Sequence, residues 1–315
     1  MDKNLNSILL TQPNLDNLKH VFIVVNPISV ILSRMIIDNF KLNKNDVIII
    51  SQRNTDLTLL NFDSLNFIPK KFDSLFDKIF FKSTLGKKIL KKLQKKQFIV
   101  YSSWATRELN YLMASKNCLG HYYIEEGQDT YMEHIPFSHK KISLIDKLKN
   151  NFKNRINEND SSGYFFRDDA LGYIGLSNKS FPKINNSRKI ILNNINKLKD
   201  HYKPKLIGIK TIGLTCAERR LKDNNWERML KIIVDALPVN SAIKAHPSFT
   251  LSKKRFNILK GILNEISDKK IILCENDVIL ELEMLYEKKN FIGPQTSVSI
   301  YAEFFDSTFE NLKLY

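Results

Sequence analysis

Three short polar motifs in this sequence consist of residue types that could do chemistry at a bound substrate. Two adjacent carboxylates, Glu125 and Glu126, precede a glycine; His246 precedes a proline; and two hydroxyls, Thr296 and Ser297, stand together near the C-terminus. Neighbouring acids repel each other and raise one pKa, which suits a general base. A histidine can donate a hydrogen bond to a phosphate or protonate a leaving oxygen. The motifs therefore indicate proton transfer beside a charged leaving group.

Each motif lies at or just after the end of a predicted β-strand. The strands are residues 120–125, 241–246 and 290–293, and each is a short apolar run. Ligands of open α/β sheets bind outside the carboxyl ends of the strands, so these positions are the ones that an enzyme would use. Each motif also has an ordinary structural interpretation: a solvated acidic turn, a histidine that caps a loop, and a helix N-cap.

Short β-branched runs alternate with helical patterns in both halves of the chain. The strands and helices predicted in the first half are His20–Asn26, Ser29–Phe40, Asp46–Ser51, Gln97–Ser102, Thr106–Ser115 and Gly120–Glu125. Those predicted in the second half are Lys205–Lys210, Asn225–Leu237, Ser241–His246, Lys253–Ile266, Lys270–Glu275, Val278–Glu287, Asn290–Gly293 and Ser297–Phe305. This alternation predicts βαβ units with parallel sheets, an α/β fold.

A polar stretch separates the two halves. Residues 140–204 are rich in Asn, Lys and Ser, and we interpret them as the connection between two domains. The predicted domains are residues 1–200 and 201–315.

The loop at residues 210–216 is a fourth strand-end feature. It follows the predicted strand 205–210 and contains a glycine and Thr215, which we count as a candidate nucleotide-binding residue. The loop matches neither GxxxxGK[ST] nor GxGxxG, so it is a weak signal by itself.

Composition and cysteine usage narrow the class of protein. The chain has 315 residues, of which 43% are hydrophobic and 26% charged, which is ordinary globular usage. Three scattered cysteines without a CxxC motif exclude a disulfide framework and a zinc ribbon, and they fit a reducing compartment. The sequence shows neither a signal peptide nor an apolar run of the ~20 residues that a spanning helix needs. We therefore expect a cytoplasmic protein.

The charge is strongly basic, with 49 Lys and Arg against 33 Asp and Glu. Residues 78–96 contain eight lysines and no acid, and Leu85, Ile89 and Leu93 fall on one helical face. A basic amphipathic helix of this kind can lie on an anionic membrane surface. The alternative is a domain helix with a solvated lysine face, and the sequence does not separate the two.

Taken together and in this order, the motifs resemble those of bacterial sialyltransferases, in particular the lipooligosaccharide sialyltransferase and polysialyltransferase families. The resemblance runs from about Val21 to Phe305 and includes the Asn-Pro pair at 26–27, the segment 172–182 and the sequence IKAHPSF around the histidine. Thr296 stands where these families more often have Ser, which keeps the hydroxyl. Pro294 and Gln295 before it also depart from the pattern.

The resemblance implies a role for each motif. Glu126 is similar to the general base that takes the proton from the acceptor hydroxyl, with Glu125 as the alternative. His246 is similar to the residue that donates to the departing phosphate of CMP. Thr296 and Ser297 resemble phosphate ligands. Glu283 resembles the residue that holds the ribose hydroxyls, with Glu281 as its rival.

The resemblance also implies a fold, a reaction and a place in the cell. The fold is the GT-B type, in which two Rossmann-like domains face a central cleft: residues 1–200 hold the acceptor and the base, and 201–315 bind the donor. The reaction is an inverting transfer of sialic acid from CMP-sialic acid to a cell-surface glycan, a lipooligosaccharide or capsular polysaccharide. No DxD motif occurs, so we expect a metal-independent enzyme without a cofactor. A lipid-linked acceptor places it peripherally on the inner face of the cytoplasmic membrane.

Two other functions remain as alternatives. One is another GT-B glycosyltransferase with a different nucleotide sugar. The other, which belongs to a different class, is a basic protein that binds nucleic acid without catalysis. That second alternative lacks a recognisable binding motif and leaves the three strand-end motifs unexplained, so we expect no nucleic-acid partner.

Overall fold

Two units make up the chain, Met1–Ile195 and Asn196–Tyr315. They are taken from a computed structural model that describes residues 18–52, 55–61, 64–67, 84–104, 109, 112–113, 115–132, 170–216, 226–246, 253–265 and 269–312. The division falls at 195/196, whereas the sequence predicted 200/201.

Unit 1 is built on a seven-stranded sheet in which every paired strand is parallel. In chain order the strands are β1 (Lys19–Val24), β2 (Val47–Gln52), β3 (Ser64–Phe67), β4 (Phe98–Ser102), β5 (Cys118–Ile124), β6 (Gly172–Gly175) and β7 (Lys189–Ile191). Their spatial order is β3-β2-β1-β4-β5-β6-β7. The sheet therefore grows outward in both directions from β1 and β4, as in a Rossmann fold.

The helix after β1, α1 (Pro27–Asn39), begins at a capping box. The Asn26 side chain accepts the Ser29 N–H at 3.0 Å, and the Ser29 hydroxyl accepts the Asn26 N–H at 3.1 Å. Proline at the first helical position adds a φ angle that suits a helix start. These residues explain why the chain turns from strand to helix directly after β1.

The basic helix predicted within residues 78–96 appears as α2 (Thr84–Lys92), and its apolar side belongs to the core. Ile89 is fully buried and Leu93 is 1% exposed, and both pack with Val21, Ile23 and Phe98 of the sheet. Of the five lysines of this segment with described side chains, Lys88, Lys91, Lys92 and Lys95 are exposed and Lys96 is half-buried. Ile89 and Leu93 of the apolar stripe therefore face the sheet of unit 1 and do not form a membrane-binding surface. The exposed lysine face matches the alternative, a domain helix.

Unit 2 has a five-stranded sheet, again parallel in all its pairs. Its strands are β8 (Thr211–Leu214), β9 (Ala242–Lys244), β10 (Ile272–Leu273), β11 (Asn290–Gly293) and β12 (Thr308–Asn311), in the spatial order β10-β9-β8-β11-β12. Its helices are α3 (Trp226–Ala236), α4 (Lys253–Glu265), α5 (Leu280–Glu283) and α6 (Val298–Phe304). Both sheets thus reverse their strand order at one place. The predicted α/β, GT-B type fold with two Rossmann-like domains is confirmed.

One predicted strand of unit 2 is wrong. Residues 205–210 form a turn, in which the Ile209 N–H donates to the Leu206 carbonyl at 3.1 Å and Gly208 has a φ of +80°. Ile207, at its tip, is 68% exposed. The first strand of unit 2 begins at Thr211, just after the predicted strand was expected to end. Gly208 bends the apolar run 206–209 away from the sheet.

The turn at 205–210 is held by two charged side chains, one at the end of α5 and one just before β11. Glu283 accepts the N–H groups of Lys205 and Leu206 at 2.8 and 2.9 Å. The ammonium of Lys289, which is 1% exposed, donates to the Leu206 and Ile209 carbonyls at 2.6 and 2.9 Å. Tyr286 donates to the Lys199 carbonyl at 2.9 Å. The start of unit 2 is therefore held to the rest of that unit by the buried Glu283 and Lys289 and by the half-buried Tyr286.

The interpretation of residues 140–204 as a connection is also wrong in its second half. β6 and β7 lie in this stretch and extend the first sheet beyond β5. They have four and three residues, too short to show a strand periodicity. The asparagine-rich centre of the stretch lies outside the described residues. Within the part of the chain that the structure describes, no helix is long and apolar enough to cross a bilayer.

The buried His20 makes unit 1 sensitive to acid. Its side chain lies beside the Tyr101 hydroxyl, with 3.1 Å between Nδ1 and Oη, and burial lowers its pKa to about 4. The unfolded chain binds a proton near pH 6.5, whereas the folded one does not, so stability is unaffected above that pH and decreases as the pH falls from 6.5 towards 4. In urea unfolding between pH 7 and 4.5, we expect His20→Phe to depend on pH less steeply than the wild type. The exposed His201 supplies the control: His201→Gln should retain the wild-type slope. Equal slopes for His20→Phe and the wild type would contradict this prediction.

Candidate functional site

The two adjacent acids lie at the carboxyl end of β5, where the chain turns sharply. Gly127 has a φ of +125°, which an L-residue with a side chain rarely adopts. A short 3₁₀ helix, Gln128–Tyr131, follows and brings the chain back towards the acids. The glycine therefore explains why the pair sits in a tight turn, and the turn gives the two acids different surroundings.

Glu125 is fully buried, and both of its oxygens are bound inside unit 1. The Tyr131 hydroxyl donates to Oε1 at 2.7 Å, and the Leu176 N–H donates to Oε2 at 2.9 Å. Burial, followed by the Glu125 charge, raises the pKa of Tyr131. Since Leu176 directly follows β6, this carboxylate ties the ends of β5 and β6 together.

The space around Glu125 is also filled. A Cβ on Gly175 would stand 2.8 Å from Glu125 Oε2 and would collide with the Ser180 hydroxyl. Only a glycine at the end of β6 allows the carboxylate to reach the Leu176 N–H. Glu125 is therefore placed as a structural residue.

Glu126 is half-buried and is held from two sides. Its main-chain N–H donates to Thr130 Oγ1 at 3.1 Å. The Asn26 amide donates to the Glu126 carbonyl and, at 3.1 Å, to Oε2 of its side chain. Of the two acids, Glu126 is the one that reaches the surface, so the geometry favours it over Glu125 as the reactive carboxylate.

In the sequence, Asn26 is only part of the supporting context for the resemblance, and nothing there points to Thr130 or Tyr131. Asn-Pro after a strand is a recognisable helix-start signal, but nothing in it indicates a contact with an acid 100 residues later.

In unit 2, the sequence-predicted residues follow three neighbouring strands. Thr215 comes directly after β8, His246 follows β9 by two residues, and Thr296 follows β11 by three. The order β9-β8-β11 places Thr215 between the other two. Since neighbouring parallel strands are about 4.8 Å apart, β9 and β11 are separated by about 10 Å at this edge. Side chains from the three positions could therefore contact one small anion.

The position of His246 depends on Thr215. The His246 N–H donates to Thr215 Oγ1 at 2.7 Å, and the Thr215 N–H donates to the Lys244 carbonyl at 3.3 Å. Thr215 is 3% exposed, so its hydroxyl is an internal link between the ends of β8 and β9. Ile243 and Ala245 face the core with α3 and α4, so the alternation of a strand directs Lys244 and His246 to the other side. Pro247 lies outside the described residues.

Thr296 and Ser297 begin α6 in different ways. Thr296 Oγ1 accepts the Val298 N–H at 3.3 Å, which is a capping bond. The Ser297 side chain makes no capping bond. Gly293 has a φ of +157° and lies against the end of β8. A Cβ at this position would collide with the Leu214 carbonyl. This close approach keeps the start of α6 beside the end of β8.

The two candidate ribose residues both lie on α5, and the structure places them differently. Glu283 is 1% exposed, and besides the Lys205 and Leu206 N–H groups it accepts the Tyr202 hydroxyl at 2.6 Å. Glu281 is 5% exposed; its burial raises its pKa, against the opposing effects of its own N–H and the Lys244 charge. Both oxygens of Glu283 are used within unit 2, so a ribose contact suits Glu281 better. Among the described residues, no group of three His, Cys, Asp or Glu side chains could hold a metal ion.

Comparisons with known proteins connect this chain to others by its fold alone. No family model matches the sequence. No curated protein matches it either. Among solved structures, it is similar to a 2,6-sialyltransferase from Photobacterium sp. JT-ISH-224 in complex with CMP and lactose, with 13% identity, 91% of this chain and 69% of that chain covered, and a TM-score of 0.53.

Other similar structures bind uridine nucleotides. A UDP-GlcNAc 2-epimerase from Neisseria meningitidis bound to UDP-GlcNAc has 13% identity, 93% and 82% coverage and a TM-score of 0.52. MnaA of S. aureus with UDP has 13% identity, 94% and 79% coverage and a TM-score of 0.54. The fold is thus shared by transferases and epimerases, and the likeness does not choose between them.

The different surroundings of the two acids predict different effects on stability. Glu125→Gln replaces a buried carboxylate with an amide whose NH₂ group faces a donor, so it should lower the free energy of unfolding by about 1–3 kcal/mol. Glu126→Gln retains an acceptor for Asn26 and should change it by less than about 0.5 kcal/mol. Urea unfolding of both variants measures this. An equal loss of stability in the two variants would mean that Glu125 has no special structural role.

Proposed function

We propose that the protein is a glycosyltransferase that moves sialic acid from CMP-sialic acid to a hydroxyl of a glycan. The observation that carries the proposal is the division between the two acids. Glu125 is bound on both oxygens inside the fold, while Glu126 follows the same strand, reaches the surface and is oriented by an amide. A half-buried, oriented carboxylate at a strand end suits a general base.

Unit 2 supplies the groups that a nucleotide-sugar donor needs. His246 is directed away from the core, its main chain is fixed by Thr215, and Ser297 follows β11 two strands away. An imidazole and a hydroxyl around one phosphate would stabilise the charge that develops as the phosphate leaves. Glu281, in place of Glu283, is the carboxylate that we assign to the ribose hydroxyls.

The proposed reaction is a single displacement with inversion at the anomeric carbon. The acceptor oxygen attacks that carbon, and its proton passes to Glu126. The bond between the anomeric carbon and the phosphate oxygen breaks, and its electron pair leaves with CMP, whose phosphate accepts a hydrogen bond from His246. Sialoside and CMP are the products, and the proton on Glu126 is released to water. The chain's own residues perform each of these steps, so the proposal needs no cofactor.

A second candidate is an enzyme that acts on a UDP-sugar. MnaA with UDP and the epimerase with UDP-GlcNAc match this fold with TM-scores like that of the sialyltransferase, which is the observation in favour of this candidate. The nature of the base separates the candidates, because cytosine and uracil present different hydrogen-bonding groups to the protein.

The acceptor and the location of the enzyme remain predictions. A lipooligosaccharide or capsular acceptor, lipid-linked at the inner membrane, follows only from the sequence resemblance. Since Ile89 and Leu93 are buried, membrane attraction would have to come from exposed lysines such as Lys88, Lys91 and Lys92.

Nucleotide binding provides the direct test of the donor. We expect CMP to raise the thermal unfolding midpoint more than UDP or GDP, because a ligand that binds only the folded state stabilises it by about 2.7 kcal/mol at 100 times its Kd. The purified protein should also hydrolyse CMP-sialic acid slowly without an acceptor. A larger shift with UDP, together with no hydrolysis, would favour the second candidate.

Two variants should separate binding of the donor from chemistry. Glu126→Gln should leave the Kd for CMP unchanged and lower kcat by about 10²–10⁴-fold, since it removes only the base. His246→Ala should weaken CMP binding and lower kcat, and His246→Asn, which retains a donor, should recover binding more than rate. Transfer at the wild-type rate by His246→Ala would contradict both the role of His246 and the resemblance.

A further inference from the structure

Asn26 makes two kinds of contact with its one amide side chain. Its Oδ1 accepts the Ser29 N–H at 3.0 Å and so caps α1. Its Nδ2 donates to the main-chain carbonyl of Glu126 and, at 3.1 Å, to Oε2 of the Glu126 carboxylate. The orientation of the amide is fixed by chemistry, because a main-chain N–H on one side requires the oxygen there, and two acceptors on the other side require the NH₂ group.

This contact spans the width of two strand spacings along the carboxyl edge of the sheet. Asn26 follows β1 and Glu126 follows β5, and β4 lies between these strands. The amide therefore joins the carboxyl ends of two strands that are not paired with each other. It holds the Glu126 main chain and side chain at once, so it restricts both the position and the rotamer of the carboxylate.

We propose that Asn26 is a positioning residue for Glu126: it uses the capped start of α1 as a rigid support from which its amide orients the carboxylate and keeps it ready to accept a proton. The proposal rests on the proposed role of Glu126 as the base. Asn26 acts through Glu126 and needs no contact with substrate.

Asparagine is the residue that both tasks require together. Asp and Ser cap a helix about as well as Asn, but neither has an NH₂ group to donate to Glu126. A hydrogen bond to a carboxylate favours its charged form, whereas a second carboxylate at the same place disfavours it. Asn26→Asp therefore retains the cap and replaces a donor with a repelling charge.

The experiment compares Asn26→Asp with Asn185→Asp in the full chain. Asn185 caps a 3₁₀ helix in the same manner, with its Oδ1 accepting the Ser187 N–H at 3.0 Å, and it is exposed. Each variant is measured by thermal unfolding, by ¹³C NMR titration of glutamate carboxyls and by the pH dependence of kcat. The Glu126 resonance is identified as the one that Glu126→Gln lacks.

Asn185→Asp should unfold within about 2 °C of the wild type, because it retains its cap and meets no new charge. Asn26→Asp also retains its cap, but its unfolding midpoint should fall by a few degrees because the new charge repels Glu126. Asn26→Asp should move the Glu126 titration, and with it the acidic limb of the kcat profile, to higher pH by about one unit or more. Asn185→Asp should move neither. KM should change little, since Asn26 acts through the base.

A Glu126 titration in Asn26→Asp that matches the wild type would overturn the proposal. If that variant does not fold, Asn26→Ser decides the question, because it removes the amide without adding a charge: a smaller upward movement supports the proposal, and none overturns it. Full transfer by Glu126→Gln would instead refute the proposed function, and the carboxyl titration would still report the Asn26 contact.

Discussion

The reversal of strand order is the constraint on which the rest of the structure depends. In unit 1 the sheet grows outward from β1 and β4, and in unit 2 from β8 and β11. The connections from two adjacent strands then lead in opposite directions and leave a crevice at the carboxyl edge. Asn26 in unit 1 and Thr215 in unit 2 both stand at this reversal. The polar side chain of each residue joins two strand ends: Asn26 connects the end of β1 to that of β5, and Thr215 connects the end of β8 to that of β9.

The positions of the motifs could be predicted from the sequence, because a polar residue that follows a buried strand in a βαβ pattern lies at the carboxyl edge of the sheet. Which of two neighbouring acids is structural could not be predicted. Glu125 and Glu126 share the same strand end, and they differ only in what meets them: Tyr131 and Leu176 for one, Asn26 for the other. The same holds for Glu281 and Glu283, whose surroundings come from residues about 40 and 80 positions away.

Errors in the predicted fold arose where the periodicity of the sequence was too short to read. β6 and β7 are brief strands within a polar stretch, and the apolar run 206–209 is a turn because Gly208 and Lys289 hold it so. The amphipathic helix α2 was identified, but its partner was not. In a sequence, a stripe of Leu and Ile has the same spacing whether it faces a bilayer or a sheet. The packing of Ile89 against the sheet shows which surface this stripe covers.

The fastening of residues 199–210 to unit 2 has a consequence for how such a chain could be recombined. Tyr286, Glu283 and Lys289 bind the main chain of this segment, so it belongs to unit 2 although it precedes the first strand of that unit. A crossover between related genes that exchanged unit 2 at the predicted boundary of 200/201 would separate Lys199 from Tyr286. Exchanged at 195/196, unit 2 would keep both partners of every one of these bonds, and its first segment would stay with the residues that hold it.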